Sequence, residues 1–241
     1  MKTLILLLSA TKLGKIALTA GTMLLSVITY GLVFGWWYAV GLVGLIFCHE
    51  MGHFIAAKQR GLDVGPPTFI PFVGAWVQLK DQPHNVETEA YVAIAGPIAG
   101  TVTSMVFYYA AASLHSHLLL ALAYASFMIN LFNLIPLSPL DGGRITAIIS
   151  PKVWWVGVPI LAALFFWNRS PMLLLVALLA IPHLWSTMKP GQSILMPERY
   201  YRVSMATRRN YAMYYLGLAA FLAVMSYQTH QMLLPARLRH F

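Results

Sequence analysis

His49-Glu50-Met51-Gly52-His53 lies near the carboxyl end of a continuous apolar stretch, residues 16–57. A membrane helix needs about 20 mostly apolar residues, so this stretch is too long for one helix and suits two, with the break expected at residues 30–35. One carboxylate and two histidines are costly at the end of a membrane helix, and such groups usually mark a functional site. The sequence therefore predicts a membrane protein with a site at the end of its second span.

The composition also indicates a membrane protein. Of the 241 residues, 59% are hydrophobic and 10% are charged, whereas a soluble domain carries about a quarter charged residues. The mean hydropathy is +0.69. The net charge is +9, but the lysines and arginines stand at the ends of apolar runs. This placement predicts contact with the headgroups of a lipid bilayer rather than binding of nucleic acid.

Further apolar runs extend the pattern beyond the first two spans. The third to sixth spans are predicted at residues 90–114, 118–140, 153–168 and 170–188. Residues 211–227 form either a seventh span or a helix that lies in the membrane interface. The expected fold class is therefore an all-α polytopic membrane protein with about six or seven transmembrane helices.

The chain is expected to divide into two parts. Residues 1–188 form the core, with the catalytic motifs inside 36–150, and residues 189–241 form a basic membrane-surface segment that contains the possible seventh span. Residues 2–10 faintly resemble a signal peptide. Their apolar core is short and two lysines follow it, so we expect an uncleaved segment near the membrane.

A small β-hairpin is predicted between the second and third spans. Gly65-Pro66-Pro67 breaks any helix, and residues 68–72 and 75–80 then read as two short strands, the second with alternating polar and apolar residues. An open sheet edge cannot face lipid. The hairpin is therefore expected at the membrane interface or against protein.

The distribution of basic residues predicts the orientation. With the N-terminus in the cytoplasm and seven spans, thirteen of the sixteen lysines and arginines fall on the cytoplasmic side. Such a bias indicates a multi-pass protein of the cell membrane in that orientation. The ends of spans two and four then meet on the cytoplasmic side, which places the site there.

The motif at residues 49–53 has the spacing of a metal site. His49 and His53 are four residues apart, so in a helix both imidazoles lie on one face and can bind one tetrahedral Zn²⁺. Glu50 follows the first histidine and can accept a proton from a zinc-activated water. The alternative is a pair of interfacial histidines with Glu50 exposed among headgroups.

A third ligand appears at the end of the fourth span. Residues 133–143, Asn-Leu-Ile-Pro-Leu-Ser-Pro-Leu-Asp-Gly-Gly, close that span on the same side as the histidines and contain Asp141. Asp141 can also be read as the N-cap of a helix that begins near Gly142. The two interpretations are compatible, because a carboxylate can cap a helix and bind a metal.

Together these motifs resemble the site-2 protease family of intramembrane zinc metalloproteases. The resemblance rests on residues 49–53, on the N-x-x-P-x-x-P-L-D-G run at 133–142 and on Gly96-Pro97-Ile98-Ala99-Gly100. It implies one Zn²⁺ held by His49, His53 and Asp141, with Glu50 as general base. It also implies that Asn133 helps to position the substrate or the tetrahedral intermediate.

The resemblance implies an enzyme that hydrolyses peptide bonds within or near the transmembrane segments of membrane-anchored proteins. The hairpin resembles the sheet to which an unwound substrate adds as a strand in that family. A non-catalytic metal-binding membrane scaffold is the alternative, but a scaffold needs only the ligands and not Glu50. A metal transporter would need ionisable residues in several spans, and spans one, five and six offer almost none.

Four other residues near the motifs have simpler expected roles. Asn130 either shares a face with Asn133 or, as we favour, forms an interhelical hydrogen bond. Gly96 and Gly100 are expected to permit close helix packing. Cys48, the single cysteine, is expected to be a packed free thiol.

Overall fold

The computed structural model describes residues 12–72, 74–79, 81–188 and 196–238, so the predicted segment at residues 2–10 lies outside them. Two short 3₁₀ turns, Pro151–Val153 and Glu198–Tyr201, precede the sixth and eighth helices. The described helices and strands are α1 (Lys12–Phe34), α2 (Trp36–Gln59), β1 (Val64–Ile70), β2 (Gly74–Leu79), α3 (Val86–Leu114), α4 (His117–Asn133), α5 (Asp141–Thr146), α6 (Trp154–Asn168), α7 (Pro171–Met188) and α8 (Met205–Leu238). The predicted helical fold with one small hairpin is confirmed.

Four of the described helices are long and apolar enough to cross a membrane: Gly14–Phe34, Trp36–Gln59, Val86–Leu114 and Pro171–Met188. Helices α4 and α6 are apolar but have only 17 and 15 residues. Helix α8 has 34 residues and begins with a basic segment. The structure thus identifies four candidate spans among the described residues, and the predicted count of six or seven is not confirmed.

The first two spans separate at Gly35, inside the predicted break. Gly35 has a φ of 91°, a backbone conformation that glycine adopts without the steric cost that a side chain would add. Helix α1 therefore ends at Phe34, and α2 begins at Trp36 with a new direction.

Helix α4 ends earlier than predicted. The expected fourth span ran to residue 140, but the helix stops at Asn133. Pro136 and Pro139 follow, and a proline both lacks a backbone N–H and disfavours helical geometry in the residue before it. Residues 134–140 therefore form a compact turn, in which Leu134 and Leu137 are buried, and this turn delivers Asp141 to the start of α5.

The β-hairpin also differs from the prediction in its bounds. Strand β1 begins at Val64 rather than residue 68, with an irregular register between Val64 and Pro67. Strand β2 covers Gly74–Leu79 and pairs antiparallel with β1. Helix α1 supports the outer side of β1, where the Phe69 N–H donates to Thr22 Oγ1 at 3.3 Å.

Helix α8 packs along α4. Its Leu222 is completely buried in a cluster that includes Ala123 and Phe127 of α4. Near the end of α4, the hydroxyl of Tyr215 donates to the backbone carbonyl of Leu134 at 2.7 Å. Helix α8 therefore packs against α4 and stabilises the turn that precedes α5.

The centre of the molecule is a layer of three helices, in which α2 packs on α3, α3 on α4, and α2 on α4. Helix α5 packs against α3 on one side of this layer. Helix α1 and the hairpin pack against α2 on another side. The junction of α2, α3, α4 and α5 is the region where the predicted site residues meet.

Candidate metal centre

His49, His53 and Asp141 converge on one point. Both His49 Nε2 and His53 Nε2 lie 3.2 Å from Asp141 Oδ2, and the two Nε2 atoms are 3.1 Å apart. All three residues are buried. In a tetrahedral zinc site with bonds of about 2.0–2.1 Å, neighbouring ligand atoms lie about 3.3 Å apart. The three atoms are therefore placed as three corners of such a site.

Hydrogen bonds at the far side of each imidazole fix its tautomer. His53 Nδ1 lies 2.8 Å from the backbone carbonyl oxygen of Val92, which can only accept, so Nδ1 carries the proton. His49 Nδ1 lies 2.8 Å from Asn130 Oδ1, which likewise accepts. Both Nε2 atoms therefore direct lone pairs towards each other and towards the Asp141 carboxylate. A positive charge at this point, either a metal cation or a proton on one of the imidazoles, would offset the repulsion between the three atoms.

The electrostatics of Asp141 agree with an anionic ligand. Burial alone would raise the pKa of its carboxyl group, but the neighbouring His53 and His49 outweigh burial and hold this pKa well below its usual range.

Asp141 is the first residue of α5, and the cap position belongs to Leu140 without any side-chain capping bond. The interpretation of Asp141 as the cap is therefore wrong.

Two glycines allow the turn before α5 to fold tightly. A Cβ atom on Gly142 would lie within van der Waals overlap of the Leu134 carbonyl, at 2.2 Å, and one on Gly143 would lie 2.2 Å from the Ser138 nitrogen. No side chain fits at either position. Close backbone contacts at the two residues that follow Asp141 therefore help to hold it near the histidines.

Glu50 and Asn133 lie in the same cavity as the metal cluster formed by His49, His53 and Asp141. Both line a cavity of about 600 Å³ together with His49, His53 and Asp141. Glu50 is buried, with 5% of its surface exposed, and it makes no hydrogen bond to any other described residue. Its carboxylate is therefore available to a molecule in the cavity. Cys48 is half-buried, and its thiol forms no disulfide. It is not part of the metal cluster.

Gly96 and Gly100, the two glycines of the Gly96–Gly100 motif, each lie against a side chain of a neighbouring helix rather than against its backbone. A Cβ atom on Gly96 would lie 2.2 Å from His53 Nε2, and one on Gly100 would lie 2.2 Å from Asn130 Oδ1. The close helix contact is instead at Gly52, where a Cβ atom would lie 2.4 Å from the Ala95 carbonyl oxygen. Gly96 thus leaves the space that the His53 imidazole occupies.

Gly96→Ala should weaken zinc binding about tenfold or more, because the added methyl group displaces the His53 ring from its orientation. The measurement is the zinc dissociation constant of the purified protein, obtained by competition with a chelator. Gly44→Ala is the matched control, since Gly44 lies in α2 and a Cβ atom there meets nothing within 4 Å. Equal zinc affinity in both variants would contradict the role of Gly96.

Sequence reasoning missed a polar network at the edge of the cavity. Arg144, which lines the cavity, donates from Nε to Glu89 Oε1 at 3.4 Å. The Tyr200 hydroxyl donates to Glu89 Oε2 at 2.7 Å. Burial raises the pKa of Tyr200, and the negative charge of Glu89 raises it further. Arg144 directly follows the Asp141 motif, which is a usable signal, whereas no sequence pattern marks Tyr200.

Within residues 12–72, 74–79, 81–188 and 196–238, His49, His53 and Asp141 are the one group of three His, Cys, Asp or Glu residues with metal-site geometry. His183 lies outside this group and packs its ring against Trp154, with 5.8 Å between the centroids. The described part of the chain therefore has no second cluster of the kind that a transport path would use.

Among the described residues, no third strand pairs with the hairpin, so β2 keeps one unpaired edge. The carbonyl oxygen of Pro67 accepts a hydrogen bond from Thr19 Oγ1 of α1 at 2.8 Å, so Pro67 faces away from β2. In an antiparallel pair, opposite residues that do not bond to each other point their backbone groups outward. Val77, opposite Pro67, and Ala75, two residues earlier, therefore face away from β1. Both line the cavity.

Comparisons with known proteins agree with this site. The model of the family described as Peptidase family M50 matches residues 37–116 and 109–154. A zinc metalloprotease of Methanocaldococcus jannaschii is 32% identical over 142 residues, or 56% of this chain and 41% of that protein. The probable zinc metalloprotease EGY1 of Arabidopsis thaliana, named as chloroplastic, is 35% identical over 72 residues, or 28% of this chain and 13% of that protein. Rip3 of Mycobacterium tuberculosis, whose name also describes a zinc metalloprotease, is 30% identical over 115 residues, or 44% of this chain and 29% of that protein.

The matches cover the chemistry-bearing part of the chain. The chain spans less than half of the length of each of these relatives, and the region matched by the family model, 37–154, contains all three motifs. The prediction of a single zinc site is confirmed, since the relatives are named as zinc metalloproteases and the described residues hold one matching cluster. The apolar helices and the family together support location in a membrane.

Proposed function

Because the chain belongs to the site-2 protease family, peptidase family M50, we propose that it is an intramembrane zinc metalloendopeptidase. Its substrates are membrane-anchored proteins, which it cuts within or near their transmembrane segments. One observation carries the proposal: the free carboxylate of Glu50 lies in the same cavity as the three-residue metal cluster, on an apolar helix long enough to span a membrane.

His49, His53 and Asp141 are the proposed zinc ligands. Three protein ligands leave one coordination position open, as in catalytic rather than structural zinc sites. When bound, Zn²⁺ supplies Lewis acidity, which makes water a better nucleophile at neutral pH and polarises a carbonyl group. The three residues are buried, and burial strengthens electrostatic interactions inside the site.

Glu50 is the proposed general base. Its carboxylate accepts the proton of the attacking water and then delivers that proton to the amine that leaves when the peptide bond breaks. The proton on Nδ1 of each histidine is engaged elsewhere, by Asn130 and by the Val92 carbonyl. Glu50 is therefore the group at the site with free capacity to accept a proton. Asn133, which lines the cavity at the end of α4, is proposed to position the substrate carbonyl.

The substrate is proposed to unwind and add to the free edge of β2. Peptide bonds in an intact helix are covered by their own hydrogen bonds and side chains, so the cleaved segment must be extended. Ala75 and Val77 point their backbone N–H and C=O groups away from β1, and both residues line the cavity, so they can pair with an extended chain that enters it. This pairing holds the scissile region beside Glu50.

Val77→Pro should lower kcat/KM for proteolysis about tenfold, because it removes one outward backbone donor without touching the pairing between β1 and β2. Trp76→Pro is the matched comparison, since Trp76 pairs with Thr68 of β1, so the N–H of residue 76 faces that strand and its loss should lower thermal stability. Cleavage, zinc content and unfolding temperature are measured on both. A Val77→Pro protein that is folded, zinc-loaded and fully active would contradict strand addition.

The orientation follows the distribution of basic residues. We propose a multi-pass protein of the cell membrane with the metal centre towards the cytoplasmic side, because lysines and arginines concentrate there when the N-terminus is cytoplasmic and the chain crosses the membrane seven times. The general test of the proposed function is a cleavage assay on a panel of membrane-anchored proteins with the native enzyme. The absence of cleavage across a broad panel by zinc-loaded protein would favour the non-catalytic scaffold.

A further inference from the structure

We propose that Asn130 is a positioning residue for the metal centre: its side-chain amide fixes the tautomer and the ring orientation of His49. The inference rests on the proposed zinc site and adds to it a residue outside the ligand set. The sequence motifs direct attention to Asn133, one turn later in α4, whereas the structure places Asn130 in direct contact with a proposed ligand.

The orientation of the Asn130 amide is set by its own helix. Nδ2 donates to the backbone carbonyl oxygen of Ser126 at 2.7 Å, and a carbonyl can only accept. The oxygen Oδ1 must then face His49, whose Nδ1 is 2.8 Å away. His49 Nδ1 therefore carries the proton, and its Nε2 keeps the lone pair that a metal requires.

The amide is also held in place by packing. Asn130 is 1% exposed, so water does not compete for its hydrogen bonds. A Cβ atom on Gly100 would lie 2.2 Å from Asn130 Oδ1 and 2.5 Å from Nδ2. The Asn130 side chain, which belongs to α4, thus contacts the backbone of α3 at Gly100 and reaches His49 of α2. The expected interhelical hydrogen bond is observed, and its partner is the histidine of the metal cluster.

The two histidines are oriented by different kinds of group. His53 is held by the backbone carbonyl of Val92, which persists whatever side chain occupies residue 92. His49 is held by a side chain, so its orientation depends on the identity of residue 130. Substitution of Asn130 should therefore act on the metal through His49 alone.

The test compares zinc dissociation constants of purified native protein and three variants, measured by competition with a chelator. Asn130→Leu is similar in size and removes the acceptor, so zinc should bind about 10- to 100-fold more weakly. Asn130→Asp keeps an acceptor oxygen and should bind zinc at least several-fold more tightly than the leucine variant. Ser104→Ala is the control: it removes a buried 2.6 Å hydrogen bond between α3 and α4, to Ser126, and should leave the zinc constant unchanged.

Visible absorption of the Co²⁺-loaded proteins gives a second readout, because it reports the geometry of the ligands and not the stability of the fold. The spectrum should change for Asn130→Leu and not for Ser104→Ala. If the leucine variant does not fold, Asn130→Ala, which fits the same space, takes its place in both measurements.

Native zinc affinity in the Asn130 variants would overturn the inference. An equal loss of zinc affinity in Ser104→Ala would also overturn it, because Asn130 would then act only in helix packing. The ligand assignment is checked separately with Asp141→Ala. Zinc binding that survives loss of Asp141 would overturn the proposed metal site itself. Zinc binding that is lost with Asp141 but unaffected by Asn130→Leu would overturn the Asn130 inference alone.

Discussion

Glu50→Gln should abolish proteolysis while the protein keeps its zinc. The substitution preserves the size and shape of the side chain but removes its capacity to accept a proton, so cleavage should fall by about two orders of magnitude or more. The metal cluster is made of His49, His53 and Asp141, and none of them hydrogen-bonds to Glu50. Zinc content should therefore remain close to one ion per chain.

The measurement pairs two assays on the same preparation: the rate of cleavage of a membrane-anchored substrate, and zinc content by elemental analysis. Glu87→Gln is the matched control, since it makes the same chemical change in the first turn of α3, outside the cavity, and should cleave like the native protein. A Glu50→Gln enzyme with native activity would disprove its role as base. Loss of activity together with loss of zinc would place Glu50 among the groups that hold the metal, and would equally disprove the proposed role.

The local part of the site could be predicted from the sequence because it depends on helix geometry. Two histidines four residues apart must share a helix face, and the structure brings His49 Nε2 and His53 Nε2 to 3.1 Å. Asp141 lies 88 positions further along the chain than His53, and its proximity is predicted from the topology of the spans and from the family resemblance. The structure brings Asp141 Oδ2 to 3.2 Å from His53 Nε2.

The features that were missed depend on side-chain contacts between helices. Asn130 and Asn133 are both polar residues in the last turns of α4, and their spacing does not reveal which of them meets His49. Gly96 and Gly100 do permit close packing of neighbouring helices, but their spacing does not reveal that they accommodate the side chains of His53 and Asn130. The end of α4 is hard to predict for another reason: residues 134–140 are apolar enough to extend a span, whereas Pro136 and Pro139 end the helix at Asn133.

The hairpin shows what the structure adds to a correct but incomplete prediction. Alternation in the sequence predicted two strands, but not which backbone groups remain unpaired. That information comes from α1, whose Thr19 bonds to Pro67 and so occupies the outer edge of β1. The edge left for another chain is therefore that of β2, where Val77 lies next to the cavity.

Asp141→Ala should nearly eliminate zinc binding. Loss of a residue that only orients a ligand weakens metal affinity about 10- to 100-fold, so loss of a ligand should cost at least about 100-fold. Proteolysis should fall with zinc content, since the proposed ligand lines the same cavity as Glu50.

Thermal unfolding distinguishes the loss of a ligand from the loss of the fold. Zinc that binds the folded chain raises the unfolding temperature of the native protein, and Asp141→Ala should remove this rise. A cooperative unfolding transition of the zinc-free variant would show that the fold survives without Asp141. Asp63→Ala and Asp81→Ala are the controls: both lie beside the hairpin, where Asp81 Oδ2 accepts a hydrogen bond from the Asp63 N–H at 3.1 Å. If all three variants retained zinc equally, Asp141 would not be a ligand, and the proposed site would lose the residue that joins α5 to the histidines of α2.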